Sequence, residues 1–585
     1  MDEDEDDLID VLDRTVEAAL LLERSEQTGA FSFAHNLINH TLYDALRPTR
    51  RARLHRRVAE ALEDLCGDRA GCRVAELARH WTAATAPVDP GKALVYTRRA
   101  GELALAELAP DQAARWFTQA LELLDRAPEA GDAERCDLLV ALGEAQRQAA
   151  QPQFRETLLR AAGLAGELGD ADRAARAALA NSRGFASAFG VVDRERLAAL
   201  ERAIELDERS DPARCARLLA LQAMELQFDP DHERRRALAD EALALARRAE
   251  DDRILPYVLR DHFHAVWSAD TLAARTRTAE EMMRLADEVD DPLVRVWALD
   301  RTIHAAAEGG DLRRAAGASA ELVARVDELG QPGLRWHATY YAAGLAQLRG
   351  DLAEADRLAE AAARLGERAG EPDTVVVYVP QICPLRSEQG RAAEVVDLLE
   401  RAAADTPGIP ALEAGLSWIL CDLGRLADAA ARLERAADAG FATMPRDQVY
   451  STALATWART AADVGSERAA TRLYDLIEPW RDLVVWNGTT GYGSAEAYLG
   501  MLAATLGAHD RAEEHFAAAS ALHRREGMDV WEARALCHRA RSLLAAGEAE
   551  RARTTTEEAL ALARERSYVS IAGQAEELLT VTASA

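Results

Sequence analysis

Lysine is almost missing from this chain. Of its 70 basic residues only Lys92 is lysine, which leaves 69 arginines (70 − 1). That bias reads as a high-GC bacterial coding sequence, and it has one chemical consequence. A P-loop needs G-x-x-x-x-G-K-[ST], because backbone N–H groups and a lysine together cradle phosphate. The one lysine stands in Pro90-Gly91-Lys92-Ala93, without the first glycine and without the hydroxyl. Aromatic residues make up only 5% of the chain. No apolar run approaches the roughly 20 residues that span a bilayer. The acidic N-terminus is the reverse of a secretory leader, so the expected location is cytoplasmic. The seven cysteines (Cys66, Cys72, Cys136, Cys215, Cys383, Cys421 and Cys537) form no C-x-x-C, and only Cys66 and Cys72 are close. They are expected to be buried or free reduced thiols.

What is present is helix-forming. Ala, Leu, Arg and Glu dominate, and these residues lose little entropy in a helical backbone. The 585 residues are too many for one ordinary core and imply several domains or a repeat array. The net charge of −29 repels nucleic acid phosphate and anionic lipid, so direct nucleic-acid or membrane binding is not expected. The acidic run Asp2 to Asp7 reads as a solvated helix start or a frayed terminus.

Breakers recur about every 20 residues through the middle of the chain, as at Asp211-Pro212, Asp291-Pro292, Gly350-Asp351 and Gly390-Arg391. Between them apolar residues keep helical spacing, as in Leu352, Ala355, Leu358, Ala359, Ala362 and Leu365. Glycines at 310, 350, 390, 424, 465, 507 and 547 step by 40, 40, 34, 41, 42 and 40. A helix with its turn, doubled, makes a hairpin of about 40 residues that cannot bury its apolar face alone. The predicted fold is therefore all-α, a superhelical solenoid of stacked hairpins with a long concave surface. Thr374 to Val379 (TVVVYV) is β-branched, yet its place in the rhythm predicts helix. Trp480 to Ser494 is the least helical stretch, with a turn-forming Asn487-Gly488.

The hairpins resemble tetratricopeptide repeats, which ask for small residues where two helices cross and a large one between them. Leu499-Gly500 with Ala512, Phe516 and Ala519 fits, as do Gly101, Ala113, Phe117 and Ala120. Ala429, Leu433 and Ala436 also fit. Ala552 and Ala559 fit around Thr556, a poor residue for the large position. The alternative is a generic helical-hairpin solenoid.

Residues 1–64 carry no repeat and read as a small helical or winged-helix-like module, with residues 65–585 as the solenoid. The segment Phe31-Ser32-Phe33-Ala34-His35-Asn36-Leu37, then Thr41-Leu42-Tyr43 and Arg50-Arg51-Ala52-Arg53-Leu54-His55, resembles the end of the winged-helix-type module of actinobacterial STAND-type ATPase regulators. These resemble the maltose operon regulator and include LuxR-type regulators and class III adenylate cyclase relatives. Leu473-Tyr474, Ser494 to Gly507 and Ala512 to Leu522 are similar to the same group. The resemblance implies a linker and sensor arm, here without motor or output segment. It also implies a place in bacterial signalling or transcriptional regulation.

Chemistry-bearing groups are few. His262 and His264 stand two apart on a predicted helix and so on different faces, which disfavours a metal. His35 reads as a structural histidine. Ser494 lies in no G-x-S-x-G and has no base assigned to it. No catalytic, cofactor-binding or metal-ligating residue is nominated, and the chain is not expected to be an enzyme. The one candidate interaction patch is Arg47, Arg50, Arg51, Arg53, Arg56 and Arg57, whose plain alternative is a solvated helix face. The functional expectation is a non-catalytic scaffold that receives a protein, a peptide or a small-molecule inducer on its concave face. The other reading is a truncated or divergent STAND-type regulator whose ATP-binding part is elsewhere.

Overall fold

A computed structural model describes residues 5–23, 30–67, 71, 73–84, 90–126, 131–183, 189–208, 210–249, 251–289, 291–442 and 444–582. Among these residues there are 29 α-helices and two small two-stranded sheets, so the all-α expectation holds. The chain divides into two compact units, Met1–Ala145 and Gln146–Ala585. Residue 64, expected to end an N-terminal module, falls inside the helix Pro48–Cys66. That helix packs on the next one, Val74–Ala84, through Ala59, Leu62, Leu77 and Trp81.

The punctuation of the sequence becomes helix ends. Asp-Pro opens the first helix of a hairpin. Asp211 Oδ1 accepts from the Ala213 and Arg214 N–H groups at 3.0 and 3.1 Å, and Pro212 begins the helix Pro212–Glu225. Asp291 and Pro292 repeat the arrangement. Gly-Asp then closes one helix and opens the next. Gly350 takes φ 85°, a left-handed conformation that a side chain would disfavour, and Asp351 caps the helix Leu352–Ala369. Thr374 to Val379 is helical, within Thr374–Glu388, despite Pro380 and Pro384.

The tetratricopeptide-like crossings are real contacts. A Cβ on Gly101 would stand 2.7 Å from the Phe117 ring, and one on Gly500 would stand 2.9 Å from the Phe516 ring. Only a residue without a side chain lets these helices approach so closely. Thr556 is fully buried and donates its hydroxyl to the Ala552 carbonyl at 2.7 Å, which satisfies the polar group in the large position.

Two kinds of helix alternate in the second unit. The second helix of each hairpin is amphipathic: in Leu352–Ala369 the buried residues are Leu352, Ala355, Ala359, Ala362, Gly366 and Ala369. The first helices are buried nearly all round, polar positions included, as in Pro292–Glu308 from Val296 onward. The cover comes from the chain itself. Gln227 Nε2 donates to Gln448 Oε1, Glu526 accepts from the Leu312 N–H, and the Tyr568 hydroxyl donates to the Gly350 carbonyl. These partners are 221, 214 and 218 residues apart. The unit thus meets itself again roughly five 40-residue hairpins further on.

The stretch expected to be least helical supplies the rest of the cover. Val484–Trp486 and Gly491–Ser494 form an antiparallel hairpin. Asn487 Oδ1 accepts from the Thr489 and Thr490 N–H groups, each at 3.0 Å, which closes the turn. This polar tip is buried. Gln347 receives it, donating to the Gly491 carbonyl at 2.9 Å and accepting from Thr490 Oγ1 at 2.7 Å. Gln381 Nε2 donates to the Thr489 carbonyl at 2.8 Å.

The cysteines depart from expectation at one place. Cys66 is disulfide-bonded, whereas Cys136, Cys215, Cys383, Cys421 and Cys537 are thiols outside any disulfide. Cys72 and the start of the acidic run, Asp2 to Asp4, lie outside the described residues.

Gly344 reports on the seating of the hairpin. A Cβ there would stand 2.4 Å from the Thr489 carbonyl oxygen. In an exposed helix Gly344→Ala would stabilise by about 1 kcal/mol. Here it is expected to cost about 1–3 kcal/mol, because backbone must move. Thermal unfolding of the two proteins checks this, and an alanine variant that melts higher than the parent contradicts the packing described.

A buried polar inner face as candidate functional site

The first helices Pro212–Glu225, Leu255–Ala265, Pro292–Glu308 and Pro332–Arg349 each bring charged or hydrogen-bonding side chains to one interior. Arginines 183, 196, 260 and 301 meet Glu225, Asp261, Asp300, Glu371 and Asp373 there. Arg183 is bound to Asp373 and, at 3.2 Å, to Glu371. Arg260 Nε donates to Asp261 Oδ1 at 2.6 Å and its guanidinium lies 4.6 Å from the Trp297 ring centre. Arg301 pairs with Asp300, and both side chains are fully buried. Burial pulls the Arg301 guanidinium down to about 9.

His304 joins this interior to the hairpin. Trp486 Nε1 donates to His304 Nδ1 at 3.2 Å, and His304 Nε2 lies 3.2 Å from Asp300 Oδ1. The first contact needs an unprotonated Nδ1, so the neutral ring carries its proton on Nε2, toward Asp300. Burial, with Arg301 and Arg275 nearby, holds His304 well below its ordinary range. His337 is pushed down to about 3 by burial, although its Nδ1 lies 2.8 Å from the Gly333 carbonyl.

Several buried groups keep unused valence, Glu225 and His264 among them, with Asp300 and Arg301 on the same inner face. Neither carboxylate oxygen of Glu225 and neither ring nitrogen of His264 has a hydrogen-bond partner among the described residues. Such atoms are rare in folded interiors, because each costs about 1–3 kcal/mol unpaired. Burial raises Glu225 to about 7, against the pull of Arg196 and Arg183. His264 is held well below its usual range by burial and by Arg301.

The residues singled out from sequence lie as follows. His262 and His264 diverge as their spacing implied: His262 Nε2 lies 3.1 Å from Asp240 Oδ1, while His264 faces the interior arginines. His35 caps the helix Asn36–Ala45 by accepting from the Leu37 N–H at 3.3 Å. Lys92 opens the helix Gly91–Ala106 and its Nζ donates to Glu63 at 2.6 Å. Ser494 caps the helix Ala495–Thr505 with its hydroxyl, and its own N–H donates to His523 Nε2 at 3.0 Å, the other ring nitrogen of His523 lying 3.5 Å from Glu532 Oε2. Arg47, Arg50, Arg53, Arg56 and Arg57 are exposed, Arg56 bonding Glu60 at 2.9 Å. Arg51 is half-buried, its guanidinium 4.4 Å from the Tyr43 ring centre.

Sequence spacing did not point to Glu225, Asp300, Arg301, His304 or His337, since each reads locally as one more polar residue on a helix. The only signal was the rise in polar content on helices flanked by Trp267, Trp297 and Trp336. No group of three metal-ligating side chains occurs among the described residues. A serine–histidine pair does occur, with His509 Nδ1 3.0 Å from Ser542 Oγ, but no described residue orients the other ring nitrogen. The inner face is suited to directional recognition.

The Glu225 carboxyl makes the stability dependent on pH. Its folded pKa of about 7 lies above the ordinary 4.5, so the folded state holds the proton more tightly. The favourable contribution is complete below about 4.5 and is lost as pH rises through about 7. Glu225→Gln should match the parent near pH 5 and exceed its stability by up to about 3 kcal/mol near pH 8. Denaturant unfolding at both pH values checks this, and an equal difference at both contradicts the assignment. Arg183, Arg196, Asp193 and Asp261 also act on this carboxyl and are the same in both proteins.

No protein-family model matches the chain, and no curated protein matches it either. Several solved structures are similar to it. A Rap protein complexed with competence and sporulation factor is 11% identical, covering 63% of this chain and 92% of its own, at a TM-score of 0.34. The APC/C hetero-tetramer Cut9-Hcn1 is 13% identical, covering 93% and 98%, at 0.42. Yeast Tom70 is 13% identical, covering 85% and 97%, at 0.28. Among the described residues no helix is long and apolar enough to cross a membrane.

Proposed function

We propose that this chain is a non-catalytic binding arm in bacterial signalling or transcriptional regulation, acting in the cytoplasm. It takes a protein segment, a peptide or a small-molecule inducer on the inner face of its helical hairpins. The observation that carries this reading is the buried polar interior around Glu225, His264 and Arg301, where hydrogen-bonding atoms stand without partners. A fold selected for stability alone would put apolar side chains there, which is often neutral or stabilising. Polar groups held ready at such a cost suit a ligand that completes them.

The second reading is the arm of a STAND-type ATPase regulator, whose nucleotide-binding part lies on another segment. It is supported by the antiparallel pair Leu21–Glu23 and Phe31–Phe33 leading into the helix capped by His35, an arrangement like a wing. On that reading residues 1–64 are the end of a winged-helix module. Arg47, Arg50, Arg51, Arg53, Arg56 and Arg57 then face the motor or its nucleotide. Reading the coding DNA upstream in frame for a P-loop separates the two.

His264→Phe tests the binding role. The substitution keeps an aromatic ring and removes two buried nitrogens without partners, so it should leave the melting temperature unchanged or raise it. Thermal shift of the parent against nucleotides, sugars, amino acids and short peptides should find a class that raises the melting temperature by several degrees. The variant should lose that shift. A variant that keeps the full response removes the inner face from recognition. Phosphate release from ATP by the purified chain, above that of buffer, contradicts the non-catalytic assignment.

A further inference from the structure

A second interior space lies beside the hairpin, between Thr374–Glu388, Val396–Asp405, Ala411–Asp422 and Tyr450–Val464. Its cavity volume is about 60 Å³, several times the roughly 10–15 Å³ that one water needs. Its walls are apolar, with Val376, Pro380, Leu399 and Leu412 among them, and no Asp, Glu, Arg, Lys or His lines it. That absence is informative in a chain where 29% of residues are charged. An ion would enter without a counter-charge and at a large desolvation cost.

The polar groups that do line it are neutral. Gln448 is 4% exposed. Its Oε1 accepts from Gln227 Nε2 at 2.9 Å, and its own Nε2 has no acceptor among the described residues. Thr452, Thr456 and Asn487 stand on the same side. The opposite wall includes two residues whose carbonyls lack their ordinary helical donor. Pro380 has no N–H to give to the Val376 carbonyl, and Pro384 has none for the Pro380 carbonyl, although both prolines lie inside a helix. Val376 and Pro380 both line the space.

We infer that this cavity is a binding site for an uncharged, largely apolar small molecule carrying a hydroxyl or comparable neutral polar group. The apolar body fills the walls, and the polar group bonds the free Gln448 amide hydrogens or a carbonyl released by the prolines. Asn487, Thr489 and Tyr492 of the hairpin form part of the wall, so an occupant touches the element that covers the inner face. The inference goes beyond the role proposed above, and its failure would leave the polar interior as it stands.

The test is direct binding to the intact chain. N-phenyl-1-naphthylamine, a neutral fluorescent probe, should bind saturably at one molecule per chain. 1-Decanol should displace it at least tenfold more effectively than decanoate at pH 8. Gly415 lines the cavity, and a Cβ there has only Leu399 within 4 Å, at 3.8 Å. Gly415→Phe should therefore fill the space and weaken the probe at least tenfold, with Gly415→Ala binding as the parent does. Gln448→Leu should keep the probe and weaken decanol about fivefold, one hydrogen bond's worth. Equal displacement by decanol and decanoate overturns the inference without any variant. So does binding of several probes per chain, or unchanged binding in a folded Gly415→Phe.

Discussion

The second unit is organised around a polar hairpin tip that has been taken out of water. Asn487, Thr489 and Thr490 bring backbone and side-chain groups into an interior, and each must be bonded there or cost stability. Gln347 and Gln381 do the bonding, from two successive first helices. Because a hydrogen bond tolerates only a few tenths of an ångström, this set fixes where those helices stand relative to the hairpin. Gly344 is the geometric consequence: the Thr489 carbonyl comes so close that no side chain fits between.

Covering the inner face changes what its side chains are. On an open array Asp300, Arg301 and His304 would be solvated, and their charges would matter little. Beneath Trp486 and the returning chain they are desolvated. Their protonation states are then set by burial and by each other, as the lowered His304 and Arg301 show. The same cover divides the interior by chemistry. Charged groups gather on the helices from Pro212 to Arg349 and again where Arg459 meets Asp422 and Arg534 meets Glu388, whereas the space beside Val376, Leu399 and Leu412 is lined by no Asp, Glu, Arg, Lys or His. An interior so divided can recognise different ligand chemistries at different places.

The hairpin rhythm was legible because it is local. Asp-Pro and Gly-Asp pairs act within four residues, through a cap bond, a preset φ or a left-handed turn. They therefore predict helix ends without knowledge of the fold. The crossing of Gly500 against Phe516 was legible for the same reason, since the two residues belong to one hairpin. The strand-like TVVVYV run was correctly read as helix from its place in that rhythm, where propensity alone pointed the other way. The Cys66 disulfide was not foreseen, because an odd cysteine count does not exclude a close pair. The boundary drawn at residue 64 followed the loss of repeat signal, but compactness follows packing, and the helix crossing that position packs onward.

By itself the sequence determined the all-helical class, the alternation of long helices with sharp turns, the small-residue crossings and the irregular stretch near Asn487. All of these depend on neighbours within one hairpin. Only the tertiary structure decided that residues more than 200 positions apart meet, as Gly350 meets Tyr568. Only it decided that the irregular stretch is buried and that Glu225, His264 and Arg301 lie in an interior. The physical reason is that the return of the array depends on small rotations summed over about five hairpins. No single residue carries that sum, so no local pattern announces which polar side chains it will enclose.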